Sequence, residues 1–267
     1  MRASLITGLS GPHLTPDEAR FLADVRPCGL ILFARNCETP DQVRRLISEA
    51  KEAIGEYDIL VLIDQEGGRV RRLMPPTWRD LPPAAAYARL AETDFEHAEA
   101  TARLVARLIA ADLRDLGINT NCVPVLDIPA PGSHEIIGDR AYGTTPEIVA
   151  RLGRAVAEGH LAGGVLPVIK HIPGHGRAQA DSHLELPIVT ASREELSATD
   201  FVPFRALNDV PAAMTAHVVF TSIDPEAPAS TSGIVVREVI RGEISFDGLL
   251  MSDDLSMKAL SGSMRQR

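Results

Sequence analysis

Short apolar runs, many of them rich in β-branched residues, alternate along the chain with longer segments in which apolar positions recur with a helical period. A continuous apolar run is typical of a strand that is buried on both faces, as in a parallel sheet. Seven runs are predicted as strands on this basis: residues 3–9, 28–34, 58–64, 120–128, 165–171, 213–220 and 248–253.

Helix start signals lie between these predicted strands. A threonine or serine that is followed by proline, or by an acidic or amide residue three positions later, is typical of a helix N-terminus. Such starts occur at four places: Thr15-Pro16 with Glu18, Thr39-Pro40 with Gln42, Thr145-Pro146, and Ser192 with Glu195. Two further helices are predicted over residues 98–116 and 233–244, and Gly117 ends the first of them.

The alternation of strands and helices predicts an α/β fold with a parallel sheet and crossover helices. Polar or charged side chains stand at the ends of most predicted strands: Arg35, Asn36, Asp64, Asp127, Lys170, His171, His217 and Asp253. In a TIM (β/α)8-type barrel all strand ends meet at one mouth, whereas in an open sheet only those beside the switch point meet. We therefore predict a barrel rather than an open doubly wound sheet, built as a single domain from residues 1–267.

Composition narrows the possible functions. The chain has 267 residues, of which 45% are hydrophobic and 24% are charged, as expected for one large globular domain. Its net charge of −9 gives no electrostatic basis for binding nucleic acid or an anionic membrane, and no apolar run reaches the ~20 residues of a membrane span. Three cysteines without metal or redox spacing, and an N-terminus without signal-peptide features, predict a cytoplasmic protein.

Residues that can carry chemistry are most concentrated in KHIPGHGRAQADSH, which spans residues 170–183 and follows a predicted strand. Strand packing would fix Lys170 and His171, while the two glycines free the backbone beyond them. Asp181 and His183 would then lie on a mobile loop. A carboxylate beside an imidazole fixes its tautomer and stabilises its charged form, so the segment is typical of proton transfer near neutral pH.

A metal site is the alternative interpretation of the same segment. Zinc takes such ligands, and the four candidates are His171, His175, Asp181 and His183. However, histidines four residues apart share a face only in a helix, and Pro173 with two glycines argues against a helix here. A metal-dependent hydrolase is therefore a second hypothesis, and no cofactor is predicted.

A second group lies in LIDQEGGRVRRL, residues 62–73. Asp64 ends a strand and is followed by two glycines and then by Arg69, Arg71 and Arg72. A carboxylate with guanidinium donors suits a polyhydroxylated ligand, because the carboxylate accepts from hydroxyl groups and arginine donates to acceptor oxygens. Surface salt bridges are the alternative for the arginines. Arg140, in IIGDRAYG, would add another donor across the mouth or form a structural turn with the aspartate before it.

The last group is GLLMSDDLSM, residues 248–257. Asp253 directly follows an apolar strand and would point at the mouth, where a carboxylate without an obvious neutralising neighbour is a candidate nucleophile. Aspartate also caps helix N-termini, and we expect that role to fall to Asp254 or Ser256.

Together these segments resemble glycoside hydrolase family 3, specifically its single-domain bacterial β-N-acetylglucosaminidases of cell-wall recycling. The resemblance rests on six pieces in family order: ILFARN, IDQEGGRV, GINTNCVPVLD, IGDRAYG, KHIPGHG followed by DSH, and SDDLSM. They run from residue 31 to residue 257 and cover nearly the whole chain. The resemblance implies a TIM-type barrel whose last strand and helix are lacking here, because the chain ends soon after Asp253.

Residue roles also follow from the resemblance. It implies that Asp253 is the nucleophile that forms a covalent glycosyl-enzyme intermediate, with His183 as general acid/base and Asp181 as its partner. The residues implied to bind the N-acetylglucosamine (GlcNAc) unit are Asp64, Arg72, Arg140, Lys170 and His171. The implied reaction is removal of terminal GlcNAc from GlcNAc–anhydro-muramyl peptides of peptidoglycan, with retention and without a metal, by a protein that we expect to be monomeric.

The acid/base is unusual for this reaction, because retaining glycosidases mostly pair two carboxylates ~5–5.5 Å apart. An imidazole, with an ordinary pKa near ~6.5, would protonate a leaving oxygen and then deprotonate water. A neutral base also repels an anionic acceptor less, so phosphate stays open as an alternative to water. A non-catalytic GlcNAc-binding protein is the third hypothesis, because the barrel would lack its last strand.

Overall fold

The computed structural model describes residues 2–132, 136–178, 186–257 and Leu260. Nine strands lie in this part of the chain: β1 (Ala3–Gly8), β2 (Pro27–Leu32), β3 (Leu60–Ile63), β4 (Thr120–Asn121), β5 (Leu166–Ile172), β6 (Ile188–Val189), β7 (Ala212–Thr215), β8 (Val219–Phe220) and β9 (Leu249–Ser252). Seven of them form one parallel sheet in the order β1-β2-β3-β4-β5-β7-β9, and β6 pairs with β8 separately. The predicted parallel α/β architecture is therefore confirmed.

Helices connect the strands of the main sheet: α1 (Pro16–Val25), α2 (Pro40–Ile54), α3 (Ala84–Ala91), α4 (Phe95–Asp115), α5 (Pro146–Ala162), α6 (Arg193–Ala198) and α7 (Phe201–Ala206). Short 3-10 turns span Ala34–Asn36 and Gly138–Arg140, and a π-helix spans Val235–Glu243. Among the described residues, no helix combines the length and the apolar character that crossing a lipid bilayer requires.

Two of the helix starts show how far the local sequence decides the structure. The Thr15 side chain accepts a hydrogen bond from Glu18 N–H, and the Glu18 carboxylate accepts one from Thr15 N–H, so this predicted capping box is complete. Only half of the box forms at α2. Thr39 accepts a hydrogen bond from Gln42 N–H, but the Gln42 side-chain oxygen accepts from Glu38 N–H at 2.9 Å instead of from Thr39 N–H. The Gln42 side-chain nitrogen donates to the Pro12 carbonyl at 2.6 Å.

The other predicted helix starts vary in the same way. Ser192 accepts a hydrogen bond from the Glu195 backbone at the start of α6, whereas Thr145 precedes α5 without a side-chain cap. The helix predicted over residues 233–244 is largely a π-helix, which buries Val235, Val239 and Ile240.

Most strands of the main sheet are shorter than the apolar runs that predicted them, and the difference is largest at β4 and β7. In the run over residues 120–128 the sheet pairing of β4 stops before Pro124, because proline has no N–H to donate to a ladder. The next-to-last run forms β7, leaves the sheet at Ala216 and resumes as β8. Ala216 donates its N–H to the Ile172 carbonyl and accepts from the Ser230 N–H, which leads the chain out of the sheet.

The main sheet curls, so that one of its faces encloses a common core. A single cluster collects side chains from β1, β2, β3, β5, β7 and β9 and from the residue after β4: Ile6, Ile31, Leu60, Leu62, Cys122, Val168, Ala212, Met214 and Met251. Side chains from opposite edges of a flat sheet would be too far apart to share one cluster. Two larger clusters lie between the outer face and the helices.

The described residues thus form a curled half-barrel sheet with helices on its outside. Within them β1 and β9 are the two edges, and no pairing joins one to the other. The α/β part of the fold prediction is confirmed, while a complete barrel is not established by this part of the chain.

Candidate active site

The curl of the sheet brings the ends of distant strands to one mouth. Asp64 directly follows β3, Lys170 and His171 lie in β5, and Asp253 directly follows β9. The thiol of Cys122, just beyond β4, is influenced by several of them. Burial raises the pKa of Cys122, the charges of Asp64 and Asp253 add to the rise, and Lys170 opposes it. Cys122 also shares one core cluster with side chains of β3, β5, β7 and β9, so these strands converge around a common space.

Asp64 is held between two cations. Its Oδ1 accepts a hydrogen bond from Lys170 Nζ at 2.9 Å, and its Oδ2 accepts one from Arg72 Nη2 at 3.0 Å. Burial alone would raise the pKa of Asp64, but Lys170 and Arg72 more than offset it, so this pKa lies well below its ordinary value. Asp64 therefore stays ionised and keeps lone pairs with which to accept hydrogen bonds from hydroxyl groups.

Lys170 also binds a second carboxylate, Glu66. The Lys170 Nζ lies 2.7 Å from Glu66 Oε1, and Arg140 donates two hydrogen bonds to the same carboxylate at 2.8 and 2.9 Å. Burial would raise the pKa of Glu66, but Lys170 and Arg140 lower it to about 2. Arg140 thus points towards Glu66 rather than towards open solvent. It is linked to the predicted sugar site by way of the Glu66 carboxylate, which also binds Lys170.

The three arginines of residues 69–72 have different partners. Arg69 pairs with Asp139 at 2.7 Å, and Arg71 pairs with an exposed aspartate. Surface salt bridges, the alternative interpretation of these arginines, therefore apply to Arg69 and Arg71. Only Arg72 turns inward and joins the carboxylate at the end of β3.

The Asp127 carboxylate accepts hydrogen bonds from two residues of the KHIPGHG segment. Its Oδ2 accepts a hydrogen bond from His171 Nδ1 at 2.6 Å, and its Oδ1 accepts from the backbone N–H of His175 at 2.7 Å. Burial would raise the pKa of Asp127, but the contact with His171 lowers it. A carboxylate can only accept, so His171 carries its proton on Nδ1 and its Nε2 is left for another partner.

His175 lies beside His171, with ring centroids 5.7 Å apart. Burial lowers the pKa of His175 to about 4, so this imidazole is neutral at pH 7. The charges of Asp127 and Asp253 act against that fall.

The two glycines of the segment serve different purposes. Gly174 has a φ of 142°, in the region that favours glycine. Gly176 instead allows a close approach of two backbone segments, because a Cβ there would lie 1.9 Å from the Ile128 carbonyl oxygen. The neighbouring Ala130 N–H donates to the Gly176 carbonyl at 3.1 Å. The predicted freeing of the backbone therefore applies to Gly174 alone.

Arg177 ties the far end of the segment to the body of the protein. It donates hydrogen bonds to Asp200 at 2.7 Å, to Glu195 at 2.6 Å and to Thr199 at 3.0 Å. After residue 186 the chain soon enters β6, which pairs with β8.

Asp181 and His183, the predicted acid/base pair, lie outside the described residues, so their roles stay predictions. The same holds for two of the four ligands in the metal hypothesis. Within the described ranges, three or more histidine, cysteine, aspartate or glutamate side chains are nowhere arranged to hold a metal ion. His171, one of the two described candidates, already commits its Nδ1 to Asp127.

Asp253 is half-buried where β9 ends. Its Oδ1 accepts a hydrogen bond from Asp254 N–H at 2.8 Å, while its Oδ2 accepts none from the part of the chain that the structure describes. The Asp254 carboxylate accepts from Ser256 N–H at 2.8 Å and so caps the following turn. The capping role thus falls to Asp254, and one oxygen of Asp253 has no partner among the residues that the structure describes.

Unpartnered polar atoms accumulate at this mouth. Four buried side-chain atoms lack a hydrogen-bond partner among the described residues: Arg26 Nε, Arg72 Nε, His175 Nδ1 and Thr215 Oγ1. Three of the four lie on strands or loops at the carboxyl edge of the sheet. An unsatisfied buried polar group costs roughly 1–3 kcal/mol, so a polar ligand would satisfy hydrogen-bonding capacity that the protein leaves open.

Two side chains of this site were missed as functional residues by sequence reasoning. Glu66 follows Asp64 by two positions, and in an extended chain such residues point to the same side, which was a usable signal. Asp127 was noted only as a polar strand end. Its pairing with two histidines needs the return of the chain to β5, where Lys170 N–H donates to the Pro124 carbonyl at 3.1 Å, and no local pattern signals that return.

Residues 7–267 match the model of the glycosyl hydrolase family 3 N-terminal domain. The chain belongs to glycosyl hydrolase family 3. Among family relatives, a β-hexosaminidase of Alkalilimnicola ehrlichii is 40% identical over 257 residues, which make up 96% of this chain and 73% of that protein. The resemblance identified from the sequence motifs is therefore confirmed at the level of the family.

Solved structures of family 3 proteins have the same fold. NagZ from Neisseria gonorrhoeae, in complex with N-trifluoroacetyl-D-glucosamine, matches with a TM-score of 0.89 and 36% identity, over 96% of this chain and 75% of that one. A family 3 β-N-acetylglucosaminidase from Paenibacillus sp. matches with a TM-score of 0.87 and 39% identity. The match covers 95% of this chain, which spans about half (48%) of the Paenibacillus chain.

Proposed function

We propose that this chain is a retaining exo-β-N-acetylglucosaminidase that removes terminal GlcNAc from GlcNAc-1,6-anhydro-muramyl peptides during cytoplasmic cell-wall recycling. One observation carries the proposal: Asp253 has a carboxylate oxygen that no described residue binds, at the mouth that also holds the buried ion cluster of Asp64, Arg72 and Lys170. A relative named β-hexosaminidase, and a family structure that contains an N-acylated glucosamine, support the class of sugar.

The ion cluster suits the hydroxyl groups of the sugar. Asp64 has lone pairs left after its two hydrogen bonds, and Lys170 has one N–H left after binding Asp64 and Glu66. Arg72 Nε and His171 Nε2 are further donors or acceptors at the same mouth. Arg140 would contribute by holding Glu66 in place. The non-reducing GlcNAc unit is therefore expected to lie against these groups, with its anomeric carbon towards Asp253.

In the first step Asp253 Oδ2 attacks the anomeric carbon, and the bond from that carbon to the leaving oxygen breaks. His183 donates its proton to the leaving oxygen. In the second step His183 takes a proton from water, the water oxygen bonds to the anomeric carbon, and the bond to Asp253 breaks. Two inversions give net retention. Asp181 would stabilise the protonated His183, and both of these roles come from the family resemblance.

We further propose that residues 1–267 are one catalytic domain whose curled sheet is part of a TIM-type barrel wall. The family match over residues 7–267 and the agreement with solved family structures support this domain assignment. The protein is expected to act as a monomer in the cytoplasm.

Hydrolysis of p-nitrophenyl N-acetyl-β-glucosaminide tests the proposal. Asp253→Asn should lose more than about 10³-fold in kcat, because removal of a nucleophile eliminates the covalent route. Asp247→Asn is the matched control, since Asp247 is exposed at the other end of β9, and it should keep full activity. Normal turnover by Asp253→Asn would reject the assignment.

Trapping distinguishes the remaining alternatives. A 5-fluoro GlcNAc donor should label the wild-type protein on Asp253, as located by mass spectrometry of the peptide that contains β9. GlcNAc binding without label or turnover would indicate a non-catalytic binding protein. Activity that is lost in EDTA and restored by zinc would indicate the metal-dependent hydrolase instead.

A further inference from the structure

His217, just beyond β7, is fixed more firmly than its place in a loop requires. It is 1% exposed. Both of its neighbours are held by backbone hydrogen bonds, because Ala216 donates to the Ile172 carbonyl at 2.9 Å and Val218 accepts from Ala229 N–H at 2.8 Å. Burying an imidazole is unfavourable unless its nitrogens are bonded, so the partners of this ring indicate its role.

The ring of His217 links two segments that are distant in sequence. Its Nε2 lies 3.1 Å from the Asp254 carbonyl oxygen, and its Nδ1 lies 2.6 Å from Ser230 Oγ. A carbonyl oxygen can only accept, so Nε2 carries a proton and donates it. In the neutral ring Nδ1 then accepts from the Ser230 hydroxyl, which selects this tautomer.

Asp254 connects His217 to Asp253 through its backbone. The Asp254 carbonyl accepts from His217, and the Asp254 N–H donates to Asp253 Oδ1 at 2.8 Å. The other hydrogen bonds of Asp254 close its own turn, because its carbonyl also accepts from Met257 N–H at 3.1 Å and its carboxylate accepts from Ser256 N–H at 2.8 Å. Among the described residues β9 pairs only with β7. The hydrogen bond from His217 thus connects the residues that follow β9 to the residues that follow β7.

We propose that His217 is a positioning residue for Asp253: through the backbone of Asp254 it fixes one carboxylate oxygen and leaves the other directed at the sugar. The inference rests on the proposed function, in which Asp253 is the nucleophile. A nucleophile that is displaced by about 1 Å can lose roughly 10²-fold in rate, while the sugar-binding groups on other strands stay unchanged. His217 should therefore affect kcat and leave KM nearly constant.

A pair of amide substitutions separates the two hydrogen bonds of the ring. The side-chain amide of glutamine reaches about as far as Nε2 of histidine, and that of asparagine only about as far as Nδ1. His217→Gln therefore keeps a donor for the Asp254 carbonyl, whereas His217→Asn keeps only a partner for Ser230. Both variants lose the imidazole, so a purely structural role would affect them alike.

We expect His217→Asn to lower kcat about 10- to 100-fold with KM within about threefold of wild type, and His217→Gln to restore most of the rate. The rate of labelling by the 5-fluoro donor should fall in parallel with kcat, and both variants should melt at similar temperatures. An unchanged kcat in His217→Asn would overturn the inference. So would equal losses in both variants together with lower melting temperatures.

The outcome for the wild type separates this inference from the proposed function. If the wild type turns over the substrate and Asp253→Asn does not, a normal His217→Asn refutes the positioning role alone. If the wild type gives neither turnover nor label, the proposed function fails and the positioning role fails with it.

Discussion

Lys170 Nζ lies 2.7 Å from Glu66 Oε1, and both side chains are buried. The same ammonium group binds Asp64 at 2.9 Å, so one cation serves two carboxylates that follow the same strand. Burial would raise the pKa of either carboxyl, and it is chiefly the charge of Lys170 that keeps both ionised. The integrity of the site therefore depends on this one side chain.

Lys170→Met should lower the free energy of unfolding by about 3–5 kcal/mol at pH 7, because it leaves buried carboxylates without their shared cation. The deficit should shrink in acid, where the pKa values of both carboxyls would be raised in the variant and protonation removes the unpaired charge. Urea unfolding at pH 7 and pH 5 measures this. Arg20→Met, which removes an exposed ion pair, is the control and should change stability by less than about 0.5 kcal/mol. A loss below about 1 kcal/mol in Lys170→Met would contradict the dependence.

A second prediction concerns His160, which is buried in α5. Its Nδ1 donates to the Val156 carbonyl, and its Nε2 accepts from the Asn121 amide at 3.0 Å. Burial lowers the pKa of His160 to about 4. The unfolded chain binds this proton near pH 6.5 and the folded chain only near pH 4, so stability is lost as the pH falls from ~6.5 to ~4, by up to ~1.4 kcal/mol per pH unit.

The variant His160→Gln should therefore show a shallower fall in stability over that range, even if it is less stable at pH 7. Urea unfolding at several pH values between 4 and 7 gives the slopes. His97→Gln is the control, because His97 is exposed, and its slope should equal that of the wild type. Equal slopes in all three proteins would refute the prediction.

Asp127→Asn should lower kcat/KM about 10- to 100-fold, because the amide cannot accept from His171 Nδ1 and His175 N–H with the strength of a charged acceptor. The loss should appear mainly in KM if His171 contacts the sugar in its ground state. Hydrolysis of the p-nitrophenyl substrate measures both constants. Asp139→Asn changes an exposed carboxylate near the same mouth and should keep wild-type constants. Wild-type kinetics for Asp127→Asn would show that the hydrogen bonds of Asp127 to His171 and His175 do not contribute to activity.

Gly176→Ala should prevent correct folding of the site or destabilise the protein by more than about 2 kcal/mol. The added Cβ would lie 1.9 Å from the Ile128 carbonyl oxygen, so a backbone segment would have to move. Thermal unfolding compares it with Gly11→Ala, where the added methyl group meets no atom within 4 Å. Similar melting temperatures for the two variants would show that the close approach is not needed.

Sequence reasoning worked best where one local cause decides the outcome. The seven strands of the main sheet were all predicted from their continuous apolar runs, although the residues of the edge strands β1 and β9 are exposed or half-buried in the described part of the chain. The side chains at strand ends, such as Asp64 and Lys170, were identified for the same reason. Thr15 and Glu18 predicted their capping box because both halves lie within one turn.

Sequence reasoning failed where interacting residues are distant in the chain. Gln42 has the right spacing for a capping box, but its oxygen accepts from Glu38 N–H and its nitrogen donates to Pro12, an arrangement that only the folded loop explains. The pairing of β6 with β8 joins two-residue strands that carry almost no periodic signal. The role of Glu66 depends on Lys170, which is far from it in sequence and is brought near only by the curl of the sheet.

The ion cluster at the mouth affects how strongly ligand binding depends on salt concentration. Three cations, Arg72, Arg140 and Lys170, face two anions, Asp64 and Glu66, so two pairs of charges cancel and one positive charge remains within the cluster. Buried pairs of this kind are little screened, and an uncharged sugar gains nothing from long-range attraction. Binding of an uncharged substrate such as the p-nitrophenyl glycoside should therefore be almost independent of ionic strength, despite the net charge of −9 that the whole molecule carries.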